Sequence, residues 1–194
     1  MGIFKILRES LKANSVKSSK KGIEQEILNL DYNNAGIAEE KVKNSIRVNR
    51  IKDRIKLFGL KDEIFHDYII AVYTLSLSIS WCDKEFHHSE EKEINSFIEE
   101  ISSSRLPKEI KAKIKEISEF FDNLEDKSQL NLLNIAIEEI RKYTKKHKIT
   151  VSDLNDFDDI IIMIINSDGH LRHSEKSFFS MWFKKKEEIY KEIS

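Results

Sequence analysis

Apolar residues recur at three- and four-residue intervals along most of the chain, and each such stretch, bounded by capping or turn residues, predicts an α-helix. A first short helix runs from Gly2 to about Lys12. It gathers Ile3, Phe4, Leu7 and Leu11 on one arc, with Lys5, Arg8 and Lys12 on the other side. A polar tract through Asn14, Ser15, Ser18 and Ser19 then reads as a linker. A long charged helix from about Ala38 to Phe58 carries Val42, Ile46, Ile51, Ile55 and Phe58 on a narrow stripe; Gly59 stops it and Asp62 caps the next. That next helix, Glu63 to Cys82, is the most apolar so far and is expected to be central. Glu91 to Ser102 presents Ile94, Phe97, Ile98 and Ile101. Pro107 opens a helix with Ile110, Ile114, Ile117 and Phe121 inward. Asp126 or Ser128 caps another, with Leu130, Leu133, Ile137 and Ile140 facing the core and Arg141 to Lys148 solvated. Leu154 to Asn166 contains the unbroken Ile160 to Ile165 run. The last helix, Glu175 to about Ile193, is expected to bury Phe178, Phe179, Trp182 and Phe183 and to turn Lys184 to Lys186 outward.

Composition narrows this to an all-α fold. Five Gly and one Pro in 194 residues leave little turn chemistry for a sheet. The division expected is residues 1–35 as an amphipathic helix and polar linker, and 36–194 as a helical domain. With 33 basic and 34 acidic residues the net charge is −1, so no global field draws in nucleic acid, and none is expected as a partner. Cys82, the single cysteine, excludes an intramolecular disulfide and fits a reducing cytosol. No stretch approaches the roughly 20 apolar residues of a membrane span. The expected location is therefore cytoplasmic, with the first helix able to lie on the inner face of a membrane or to dock on protein.

Two windows repeat. Asp83 to Glu90 (DKEFHHSE) and Asp168 to Glu175 (DGHLRHSE) superpose at an offset of 85 (168 − 83), pairing Asp with Asp, Phe86 with Leu171, His88 with His173, Ser89 with Ser174 and Glu90 with Glu175. Each follows an apolar run and precedes an amphipathic one. The unit is helix, acidic turn, helix, and two copies suggest a pseudo-twofold pair of hairpins whose buried helices cross and whose turns meet at one end.

At these residues the chain resembles the tellurite-resistance TerB family, whose pattern is a helix ending in Ala or Ser, Asp-Gly, an apolar residue, and Glu opening the next helix. Ser167-Asp168-Gly169-His170-Leu171 through Glu175-Lys176-Ser177 fits it; the first copy has Lys84 where the family prefers Gly. The resemblance covers roughly Ile64 to the C-terminus. It implies a TerB-like helical bundle with an N-terminal helical extension, and an acidic metal-associated site built from both copies. It also implies protein partners in a tellurite-resistance, stress-response or phage-defence assembly linked to membranes.

Chemically, an Asp just past a helix end and a Glu in the first turn of the next can point into one elbow. Asp83, Glu90, Asp168 and Glu175 would then offer four hard oxygen ligands suited to Ca²⁺ or Mg²⁺, with Mn²⁺ and Zn²⁺ as alternatives. The same residues also suit a corner without metal, where Glu favours the amide end of a helix and Asp caps a turn. His88 and His173 are candidate additional ligands; with His87 and His170 they are otherwise loop histidines. Lys84 is expected to strain a turn needing positive φ, and its ammonium could fill the site instead of a metal. No phosphate loop, His-Glu-x-x-His signature or nucleophile elbow is present, so a non-catalytic interaction or sensor module is expected. A metal-dependent enzyme using the same carboxylates, or a metal-free adaptor, are the alternatives.

Overall fold

Ten consecutive residues, Ala71 to Ser80, are all buried, and a helix buried around its whole circumference must be surrounded by other helices. In the computed structural model this helix is the centre of the fold. The structure describes residues 34–57, 63–84, 86, 88–102, 106–149, 151–165 and 172–193. Among these, every regular element is a helix: α1 (Asn34–Leu57), α2 (Glu63–Ser80), α3 (His88–Ile101), α4 (Lys108–Asp122), α5 (Gln129–His147), α6 (Val151–Ile165) and α7 (His173–Ile193). The N-terminal helix expected over Gly2 to Lys12, with its face of Ile3, Phe4, Leu7 and Leu11 and its basic Lys5, Arg8 and Lys12, lies outside the described residues.

Helix α2 packs against α3, α4, α5 and α6, and α7 packs against α5 and α6, all within the unit Glu39–Ser194. Contacts at the ends fix directions. The α5 C-terminus reaches the α2 N-terminus through Lys146 and His147, which meet Asp67 at 2.8 and 2.7 Å. The α5 N-terminus reaches the α2 C-terminal turn through Gln129. These two helices therefore run antiparallel. Arg141 of α5 meets Glu192 of α7 at 2.7 Å, so α7 runs parallel to α5. An aromatic chain joins four helices: Tyr68 lies 5.5 Å from Tyr143 and 5.8 Å from Phe157 between ring centres, and Phe157 lies 6.3 Å from Trp182. These rings are fully buried and supply much of the apolar surface that drives collapse.

Local sequence accounts for the helix ends. Ser128 is the N-cap of α5, accepting from Asn131 N at 3.4 Å, and Asp126 supports it by accepting from Ser128 N at 2.9 Å, so both expected residues share the turn. Pro107 sits at the N-cap of α4. Among the described residues, no helix is long and apolar enough to cross a membrane.

Some inward-facing expectations are corrected. Leu130 is 54 % exposed, and Leu132 takes the core position instead. Ile46 is equally exposed, because the stripe of α1 is set by Arg47, Ile51 and Ile55, all buried. Tyr143 and Thr144 are buried within the Arg141 to Lys148 segment expected to be solvated. Lys186, expected to point outward, is buried.

Candidate functional site

The bend after α2 is a hydrogen-bonded turn. Trp81 N donates to Leu77 O, Cys82 N to Ile79 O and Lys84 N to Trp81 O. That closure forces Lys84 to φ 71°, the left-handed region where a Cβ costs about 1 kcal/mol relative to Gly. The strain expected of Lys84 is thus present. Lys84 itself is exposed.

A cation that reaches this bend is that of Arg172. Arg172 precedes the first residue of α7 and accepts from Lys176 N through its carbonyl at 3.1 Å, which makes it the N-cap. Glu175, three residues on, accepts from Arg172 N through Oε2 at 2.6 Å, the reciprocal half of a capping box. The Arg172 guanidinium reaches across the molecule to Asp83, with Nη1 donating to Oδ2. Gln129 Nε2 adds a second tie, donating to Cys82 O at 3.2 Å and to Ser174 O at 3.3 Å. Residues of the two bends, 89 positions apart in sequence, therefore meet at one corner above the α5 N-terminus. Beside it the half-buried Trp81 stacks on Phe86 with ring centres 4.9 Å apart, and Lys127 Nζ lies 3.3 Å from the Trp81 ring centre.

Of the four acids expected to converge, Asp83 and Glu175 are described in full, and both face Arg172: one its side chain, the other its backbone amide. Glu90 lies in the first turn of α3, but its side chain, like that of His88, is outside the description, and Asp168 is outside it altogether. His173 is exposed at the start of α7. Among the described residues no three His, Cys, Asp or Glu side chains are grouped closely enough to hold a metal ion. Tested against a divalent cation, the donor chemistry of Asp83 and Glu175 fits, and the cationic group beside them is a competitor for the same oxygens.

A second polar cluster was not foreseen. The N-terminal half of α6, Asp153 to Asp159, faces basic residues of two other helices. Arg54 pairs with Asp153 and Asp156, Arg50 with Asp159 at 3.1 Å, and Arg47 with Asp159 at 3.7 Å. On the α7 side Lys186 pairs with the buried Asp158 and also donates to Asn155 Oδ1 at 2.9 Å, while Trp182 Nε1 donates to Asp158 Oδ1 at 2.7 Å. Burial pushes the Asp158 carboxyl up and the Lys186 ammonium down, each partly countered by the other. Burial likewise raises Asp156 to about 6, against the opposing pull of Arg54. The signal in the sequence was the spacing of Asp153, Asp156 and Asp159 at helical intervals directly before an apolar run, which puts carboxylates where a core must start.

No protein-family model, curated protein or solved structure matches the chain.

Proposed function

We propose that the chain is a TerB-like helical interaction module in which the corner between the two bends is the regulated part, without catalysis of its own. The observation that carries this reading is the pairing of Arg172 with Asp83 across the bends. Asp83, Glu90, Asp168 and Glu175 would hold a divalent cation, Ca²⁺ or Mg²⁺ foremost, and such a cation must take Asp83 from Arg172. Release of the guanidinium would loosen one tie between the α2–α3 and α6–α7 hairpins and alter the surface offered to a protein partner. The duplicated motif supports a role of the TerB kind, in tellurite resistance, stress response or phage defence. The amphipathic sequence of residues 2–12 supports a cytoplasmic protein that touches a membrane through Ile3, Phe4, Leu7 and Leu11.

A second reading is favoured by the same corner. Arg172 satisfies Asp83, and Glu175 is spent on its own helix start, so the bends also suit a metal-free adaptor. Thermal unfolding with Ca²⁺, Mg²⁺, Mn²⁺ or Zn²⁺ separates the two. The metal reading expects one ion to stabilise the wild type, by about 2.7 kcal/mol at a hundredfold excess over its dissociation constant. It expects tighter binding in Arg172→Gln, which removes the competitor, and loss of binding in Asp168→Asn. No shift with any ion in either wild type or Arg172→Gln would leave the adaptor.

A further inference from the structure

The serine and threonine hydroxyls of α2 are satisfied within the helix, with one exception. Thr74 Oγ1, Ser76 Oγ and Ser78 Oγ each donate to the carbonyl four residues earlier at 2.8 Å. Ser80 breaks the series: it is 5 % exposed, and its buried Oγ has no hydrogen-bond partner among the described residues. A buried hydroxyl left unpaired costs free energy, so its position calls for a ligand. Ser80 lies in the wall of a pocket of about 230 Å³ whose apolar lining is Ile94 and Phe97 of α3 with Met163 and Ile164 of α6. That exceeds the about 150 Å³ that accommodates a benzene molecule in an apolar cavity.

The remaining lining decides the chemistry. Glu93, exposed on α3, and Asn44 of α1 complete the described lining, and among the described residues no Lys or Arg lines the pocket. The Asn44 Oδ1 is already engaged by Arg47 Nη1 at 2.7 Å. What the described lining offers a ligand is therefore an apolar wall, a hydroxyl oxygen and a carboxylate, with the Asn44 amide N–H at the side. We propose that this pocket binds a small primary alkylammonium, its tail against Ile94, Phe97, Met163 and Ile164 and its charged head between Ser80 Oγ and Glu93. A carboxylate-headed ligand would meet Glu93 without a countercharge, and an alcohol would use Ser80 alone. The inference is independent of the bends and of any metal there.

The full chain labelled with ¹³C-methyl methionine tests it, since Met163 lines the pocket and the half-buried Met181 of α7 serves as an internal control. Titration with n-hexylammonium is expected to move the Met163 methyl resonance saturably and leave Met181 in place. Hexanol is expected to bind about tenfold more weakly and hexanoate not to saturate. Glu93→Gln, a surface substitution that the fold tolerates, and Ser80→Ala are each expected to weaken hexylammonium by about tenfold. Equal binding of all three probes, movement of both methionines together, or unchanged affinity in Glu93→Gln would overturn the proposal.

Discussion

Lys186 shows how a single residue can reverse its expected role. In sequence it belongs to a basic run, and its neighbour Lys184 is indeed exposed. In the fold it is 3 % exposed and held by Asp158 and Asn155. Lys186→Met strands a buried carboxylate, and urea unfolding is expected to show a loss of about 3–5 kcal/mol. Adding Asp158→Leu to it removes the stranded charge and is expected to recover part of that loss. Asp156 makes a separate prediction about pH. Its folded pKa of about 6 lies above the ordinary 3.8, so the folded protein binds the proton more tightly. Its contribution to stability is then full below about pH 3.8 and is lost as pH rises through about 6. Asp156→Asn removes that term. The stability of wild type relative to the variant should therefore fall by on the order of 2 kcal/mol from pH 4 to pH 7. A constant difference would contradict the burial assigned to this carboxylate. Lys84→Gly, at φ 71°, is expected to raise stability by about 0.5–1 kcal/mol, read as a higher melting temperature.

Among the elements, α1 is held differently from the rest. Ile51 and Ile55 anchor it, and Arg47, Arg50 and Arg54 lie along the acidic face of α6, with Lys52 reaching Glu100 of α3 at 2.7 Å. Of these pairs, those of Arg50 and Lys52 reach solvent, and such pairs weaken as salt shortens the range of the field to about 3 Å at 1 M. Hydrogen exchange is expected to show α1 losing protection in 1 M salt while α2, held by apolar packing, keeps it; parallel behaviour of the two helices would contradict this. The number, type and order of the helices from α1 to α7 were legible in the apolar spacing, because that periodicity is the direct imprint of a buried face. Burial of Arg47 and Lys186 was not legible. A charge can be buried only when a partner far off in sequence arrives beside it, and that partner is named by the tertiary fold alone. Leu130 misled for a local reason. It stands directly behind Gln129, the residue that turns to both bends, and this places Leu132 and Leu133 on the inward face.

For the whole molecule, the consequence is that α2 and α6, the two apolar helices, pack together, and Arg172, just before α7, reaches Asp83, just after α2. The acidic repeat led to the expectation that the two turns meet, and Asp168 of the second turn lies outside the described residues. The repeat did not point to Arg172 as the cation there, since at the offset of 85 this residue falls on His87 and so lies outside the part of the motif the two copies share. Among the described residues Arg172 ties the corner through Asp83, with Gln129 beside it, and Arg172 is about a third exposed, so water can compete for its guanidinium. A double-mutant cycle between Arg172→Gln and Asp83→Asn, followed by urea unfolding in chelator, tests that tie most directly. A coupling energy of about 1 kcal/mol or more is the outcome expected of bends joined through these two side chains. Strict additivity of the two substitutions would mean that they do not meet, and would remove the basis for a shared corner.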